Sequence, residues 1–166
     1  MVNISIILPC YNRINQTIQT INLLLNSNGL NKEFLLEIIV SDSSLDNKLE
    51  IAVKDKFADK IKYLKPEKPG IAANKNAGAK IASYPILIFC DSDMEVEPNT
   101  IISTIKSLQK NKTAAGIGGQ VVWKNGEKNG TLDRPRKEDQ MLMINDTTYI
   151  EALYSRYFTT YKKNIL

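Results

Sequence analysis

The chain has 166 residues, with 22 Lys and Arg against 18 Asp and Glu, 43% hydrophobic residues, two Cys and no His. This fits one globular domain, with or without an extension, able to bury about 70% of its unfolded surface, and it excludes disordered, collagenous and disulfide-framework classes. Without His there is no imidazole catalysis, and two Cys cannot build a cysteine zinc site; a bound metal must rest on carboxylates, which suits a hard ion such as Mg²⁺ or Mn²⁺.

Residues 4–8 (ISIIL) form an unbroken apolar run stopped by Pro9, which predicts a buried strand. Ile14, Ile18, Ile21 and Leu25 recur at helical spacing until Asn28-Gly29. Residues 37–41 (EIIVS) predict a second strand, and 49–57 a short helix with Asp46 as N-cap. A third short strand is expected at 61–64 and an Ala-rich helix at 71–82. Residues 85–90 (PILIFC) give the most hydrophobic strand, followed by a helix over 98–108 with Pro98 in its first turn. Residues 117–123 predict another strand. Asn125-Gly126 and Asn129-Gly130 are hairpin turn signals, and 134–140 is a charged loop. Ile150, Leu153, Tyr154, Tyr157, Phe158 and Tyr161 give 148–162 an amphipathic helical pattern, suited to the core or to a partner subunit.

The order is β-α-β-α-β-α-β-α, and its strands are continuous apolar runs rather than alternating ones. That pattern predicts an α/β fold with a mostly parallel central sheet covered by helices on both faces. Ligands of such sheets bind beyond the carboxyl ends of the strands, here 9–13, 41–46 and 91–97. No stretch is long enough to span a membrane, and the first apolar run is too short for a signal peptide core. The Asn-x-Ser/Thr triplets therefore read as products of an Asn-rich chain. The expected location is cytoplasmic, including a peripheral membrane position, with Cys10 and Cys90 as reduced, half-buried thiols.

Asp91-Ser92-Asp93 directly follows the most hydrophobic strand. Side chains two apart in an extended segment share a face, with Cα atoms roughly 6–7 Å apart. Two carboxylates placed so can hold one divalent cation, which in turn can grip a diphosphate; the alternative is a solvated, turn-forming pair. Asp42, after EIIVS, can accept from a base imide or a ribose hydroxyl, or instead make an Asx turn. In Pro9-Cys10-Tyr11-Asn12-Arg13, Tyr11 suits stacking on a base and Arg13 suits phosphate; otherwise they cover the sheet edge and meet solvent. Gly70 opens a helix in which Lys75 and Asn76 can donate to a ligand, although Gly78 and Ala82 also fit plain packing. No Walker or GxGxxG loop is present.

Together, ISIILPCYNR, IIVSDSSLDN, KPGIAANKNAGAKIA and ILIFCDSDMEVEPN resemble, in order and spacing, the nucleotide-sugar half of a family 2 glycosyltransferase with the GT-A, Rossmann-like fold. GIGGQVVW resembles the family's next strand. The resemblance implies a nucleotide-sugar-binding core over 1–123 and a partial acceptor-side extension over 124–166. It implies a donor site made of Pro9, Tyr11, Asn12, Arg13, Asp42, Gly70, Lys75, Asn76, Asp91, Ser92 and Asp93. Asp91 and Asp93 match the DxD motif that carries Mn²⁺ or Mg²⁺, and Asp42 matches the residue holding the base, usually uracil. Lys75 stands where the family usually has Arg, and Ser41 departs from the commoner Asp-Asp pair. The implied reaction moves a sugar from a nucleotide-diphosphate sugar, UDP-linked by this match, to a hydroxyl of a glycan, lipid or protein, with inversion.

The general base of the family lies well downstream of DxD. Asp139, in the pair Glu138-Asp139, is the available candidate and is close to Asp93 in sequence. A rival reading is a nucleotide-sugar-binding fragment or module without independent turnover, because the acceptor half is missing. A nucleotidyltransferase using an Asp pair would need a Gly-rich basic loop near the N-terminus, which is lacking. Nucleic-acid binding is not expected, since Lys60, Lys62, Lys65 and Lys68 read as a solvated rim.

Overall fold

Strand β1 (Val2–Cys10) is buried from its third residue onward, on both faces of the pleat, so it sits in the middle of a sheet. The structure is a computed structural model that describes residues 1–110, 116–118 and 158–162. The remaining described elements are α1 (Ile14–Leu25), β2 (Phe34–Asp42), α2 (Lys48–Phe57), β3 (Ile61–Leu64), α3 (Ile71–Ile81), β4 (Ile86–Cys90), α4 (Thr100–Lys110), β5 (Gly116–Gly118) and β6 (Phe158–Lys162). A turn of 3₁₀ helix (Ala58–Lys60) joins α2 to β3.

The sheet runs β3-β2-β1-β4-β6-β5. The first four strands pair in parallel, while β6 runs antiparallel to both β4 and β5. The expected mostly parallel α/β architecture is present. From β1 the chain moves outward through β2 to β3, then returns to lay β4 on the other side of β1. Right-handed crossovers place the helices of outward and return connections on opposite faces, and the core divides accordingly. Ile21 and Leu24 of α1, Leu49 and Val53 of α2, and Ile101 and Ile105 of α4 pack with Ile4, Ile6 and Leu8. Ile7, Ile39 and Leu87 meet Ala79 and Ala82 of the return connection on the other face. There Gly78 lets α3 close on β1, because a Cβ at this position would lie 2.5 Å from Ile7 Cγ2.

Several boundaries differ from the expectations, each for a local reason. Strand β1 does not stop at Pro9, because the parallel ladder with β2 continues through Pro9↔Ser41 to Cys10↔Asp42; proline removes only one donor from it. The residue capping α2 is Asn47, not Asp46; Asp46 instead accepts from the Lys48 backbone N–H at 3.2 Å. Helix α4 begins at Thr100, with Pro98 in the preceding turn. Cys10 and Cys90 are free thiols and are fully rather than half buried.

The main correction concerns the end of the chain. The aromatic spacing predicted a helix through residue 162, yet Phe158–Lys162 is a strand, and all five residues pair with β4. Its sequence, FTTYK, is β-branched and aromatic, and the open side of β4 offers a complete backbone ladder. That non-local pairing overrides a periodicity that two readings share. Residues 148–157 of the expected helix lie outside the described residues. So do the hairpin at 125–130, the charged loop, Glu138, Asp139 and residues 119–123 of the expected strand.

Candidate functional site

The strand order reverses between β1 and β4, and a doubly wound sheet opens a crevice beyond its strand tips at such a point. A cleft of about 590 Å³ lies there. Its floor comes from the two central strands, with Pro9 and Cys10 at the end of β1, Tyr11 and Arg13 just past it, and Asp91 and Ser92 beyond β4. Its far wall is Pro69, Gly70, Ile71 and Asn74 at the start of α3.

The two aspartates of the DSD triplet have opposite surroundings. Asp91 is half-buried, and its Oδ1 is buried without a hydrogen-bond partner among the described residues. Burial pushes its carboxyl up from the ordinary 3.8 to about 6; Lys75 opposes this, Asp93 adds to it and Arg13 opposes it. Asp93 is more exposed, and its carboxylate is held by the Arg13 guanidinium in an ion pair spanning 80 positions of sequence. Between them Ser92 is buried, and its carbonyl is fixed from below. The Thr20 hydroxyl of α1 donates to the carbonyls of Ser92 at 3.2 Å and Met94 at 2.9 Å. A threonine inside an apolar helix stripe thus braces the carboxylate turn, a role that only the packed structure reveals.

The loop after β1 turns sharply at Asn12, whose φ of 53° is left-handed. The Asn12 N–H donates to Ser44 Oγ at 2.8 Å, tying this loop to the one after β2. Arg13, the N-cap residue just before α1, is thereby set at the strand tips, where it pairs with Asp93. Tyr11 lines the cleft and is 56% exposed.

Asp42 is fully buried and does not line the cleft. Its Oδ1 accepts from the Ser44 N–H at 2.9 Å and the Ser44 hydroxyl at 2.5 Å, and its Oδ2 accepts from the Tyr63 hydroxyl at 2.7 Å. Burial, then the bond to Asp42, holds the Tyr63 phenol far above its ordinary range. The Asx-turn alternative read from the sequence is therefore present at Asp42.

Gly70, at φ 125° and ψ 156°, has a conformation open essentially to glycine alone and starts α3 at the cleft wall. Lys75 lies near enough to Asp91 to favour its ionised form, and its ammonium sits 5.7 Å from the centre of the Phe89 ring. Asn76 is exposed and lies outside the cleft lining. The asparagine that reaches the strand tips is Asn74, which is buried. Its amide donates to the Cys10 carbonyl at 3.1 Å and to Ser43 Oγ at 2.9 Å, while its carbonyl accepts from Ser41 at 3.4 Å. One side chain thus ties β1, β2 and α3 together under the cleft. Counting back one turn from Gly78 along the packing side of α3 leads to it. Cys10 lines the cleft too, but burial pushes its thiol up to about 12, which removes it as a nucleophile at neutral pH.

The family model described as Glycosyl transferase family 2 matches residues 5–166. The chain belongs to glycosyltransferase family 2. An "Uncharacterized glycosyltransferase" of Rickettsia bellii is 33% identical over 108 residues, which cover 65% of this chain and 15% of that protein. The poly-beta-1,6-N-acetyl-D-glucosamine synthase of Staphylococcus epidermidis is 30% identical over 117 residues, covering 70% of this chain and 28% of the synthase. The chain thus spans less than a third of the length of these relatives. Among solved structures, S. aureus TarS 1-349 in complex with UDP-GlcNAc superposes with a TM-score of 0.63 at 19% identity, over 98% of this chain and 46% of that 1-349 chain. The mannosyltransferase PcManGT of Pyrobaculum calidifontis, in complex with GDP-Man and Mn²⁺, gives 0.65 at 18% identity, over 96% and 44%. The fold is GT-A-like.

No cluster of three or more acidic or Cys side chains able to hold a metal occurs among the described residues. Asp91 and Asp93 offer two carboxylates, and the bare buried oxygen of Asp91 is an acceptor without a donor. This set suits Mg²⁺ or Mn²⁺, which keep waters and phosphate oxygens in their shell and need only one or two carboxylates. No helix of the described residues is long and apolar enough to cross a membrane.

Proposed function

We propose that this family 2 chain transfers a sugar from a nucleotide-diphosphate sugar, UDP-linked, to an acceptor hydroxyl, with Mn²⁺ or Mg²⁺ and with inversion at the anomeric carbon. The observation that carries the reading is a cleft lined by Asp91, with its unpaired buried oxygen, by Arg13 and by a glycine-started helix, while Asp93, paired with Arg13, and Lys75, acting on the Asp91 charge, stand beside it. Such a set accommodates a cation-bridged diphosphate: carboxylates for the cation, positive side chains and free helix N–H groups for the phosphates. The UDP-GlcNAc of TarS and the GDP-Man and Mn²⁺ of PcManGT, on the same fold, support this reading.

In this reading Asp91 and Asp93 hold the divalent ion. The ion supplies Lewis-acid stabilisation of the charge on the departing nucleoside diphosphate. Tyr11 covers the base at the rim, beside Pro9. Arg13 and Lys75 balance the phosphate charge that remains. Asn12 and Ser92 shape the two loops, and Gly70 gives backbone access at the far wall. For Asp42 to hold the base, the loop that buries it must open; Asn76, exposed outside the cleft lining, would reach the donor from the rim. Asp139 is the candidate for the carboxylate that removes the acceptor proton, and the acceptor side falls within 124–166, of which Phe158–Lys162 returns to the central sheet as β6.

Titration of UDP by calorimetry, with and without Mn²⁺, on the wild type and on Asp93→Ala tests the donor site. Metal-dependent binding that falls at least about tenfold in the variant is the expected result. Absence of nucleotide binding in any metal would falsify the reading. Turnover of UDP-sugars, followed by release of UDP, then separates a transferase from a module that only binds.

A further inference from the structure

We propose that Arg13 is a placeholder for the cation, coupling cation binding to diphosphate binding by moving its guanidinium from Asp93 to the phosphates. The proposal rests on the donor-site reading above and goes beyond it in assigning Arg13 two alternative partners. Its ground is the asymmetry of the two aspartates. Asp91 leaves an oxygen without a donor, as a ligand in waiting does, whereas Asp93 is already matched with a positive charge. A divalent cation bridging both must displace that charge or sit beside it, and like charges at such range repel. Two carboxylates also leave most of the shell of a Mg²⁺ or Mn²⁺ ion to other oxygens. A diphosphate solves both problems together: it brings oxygens to the ion and gives the displaced guanidinium a planar, bidentate partner.

The geometry permits the exchange. The Arg13 side chain is 49% exposed, so it is not locked by packing, and it lines the cleft while Asp93 does not. Its backbone is fixed by the left-handed turn at Asn12 and by the start of α1, so only the side chain has to move. Lys75, on α3, has its ammonium 5.7 Å from the centre of the Phe89 ring, whereas the positive charge paired with Asp93 is that of Arg13.

The test measures Mn²⁺ binding by electron paramagnetic resonance at about pH 7.5, with and without UDP, on the wild type, Arg13→Gln and Arg13→Lys. An exposed ion pair is worth up to about 1 kcal/mol, or about fivefold in a binding constant. Arg13→Gln is therefore expected to bind Mn²⁺ alone about two- to fivefold more tightly than the wild type, yet to gain less from UDP. The factor by which UDP tightens Mn²⁺ is expected to fall at least about fivefold. Arg13→Lys, which keeps the charge without the fork, should lie between. If the wild type binds UDP with Mn²⁺ but Arg13→Gln binds Mn²⁺ alone no more tightly, the placeholder is refuted and the donor site stands. If the wild type binds neither, both fall.

Discussion

Two clusters on the same sheet use similar side chains to opposite ends. Toward the amino ends of the strands, Glu37 of β2 accepts from the Ser5 hydroxyl at 2.5 Å, the Ser83 N–H at 2.9 Å, the Ser83 hydroxyl at 2.8 Å and the Lys62 ammonium at 2.5 Å. Ser5 in turn accepts from the Tyr84 N–H at 3.2 Å, so one carboxylate fastens the chain entering β4 to β1, β2 and β3. Burial alone would raise the Glu37 carboxyl, but the bonds from Lys62, Ser5 and Ser83 outweigh it and bring it from 4.5 down to about 2. At the carboxyl ends, Asp91 goes the other way, up to about 6, because burial is not matched by donors. A satisfied carboxylate contributes to stability and an unsatisfied one costs stability; the second kind is retained where a ligand completes it.

Substitutions that break this contrast have a definite order of size. Glu37→Ala removes the acceptor of four donors and is expected to cost about 2 kcal/mol, a fall in Tm of roughly 4–8 °C, measured by thermal melts. The same residue governs acid sensitivity. Since its folded value is below its unfolded one, its contribution is complete above about pH 4.5 and is lost as pH falls toward about 2. The stability gap between wild type and Glu37→Ala, followed by urea titration, should therefore narrow across that window.

Asp91→Asn acts in the opposite sense. The rise from 3.8 to about 6 corresponds to at most about 3 kcal/mol, which water in the cleft screens to about 1 kcal/mol. Because the folded value is raised, ionisation costs stability from about pH 4 upward, in full above about 6. The variant should melt about 2–4 °C higher at neutral pH while losing Mn²⁺ binding. Wild-type Mn²⁺ affinity should fall as pH drops through about 6, as calorimetry would show. The smallest effect belongs to Asp93→Asn: its ion pair is exposed, so its Tm should stay within about 1–2 °C of wild type. A large loss there would mean that the cleft carboxylates are structural after all.

The parallel sheet was legible because its strands are buried on both faces and announce themselves as unbroken runs such as ISIIL and ILIFC. The position of DSD was legible for the same reason, since a strand end can be read without knowing its neighbours. What the sequence could not show are pairings across long separations. Arg13 with Asp93, Thr20 beneath Ser92 and Tyr63 on Asp42 join residues 80, 72 and 21 positions apart. The sequence pointed to Asn76 and passed over Asn74, because the face of α3 that packs on the sheet is set by the fold, and of the two only Asn74 is buried. The strand at 158–162 was read as helix because spacings of three and four among aromatics fit a helix locally, while the partner that makes it a strand lies some 70 residues earlier at β4.

That strand has a consequence for how the chain assembles. Because β6 lies between β4 and β5, β5 has no neighbour in the sheet until β6 is in place. On a ribosome, β4 emerges with one side of its backbone unsatisfied and must wait through nearly seventy further residues for its partner. Any segment able to pair with that side in the interval, from another nascent copy or a chaperone, competes for it.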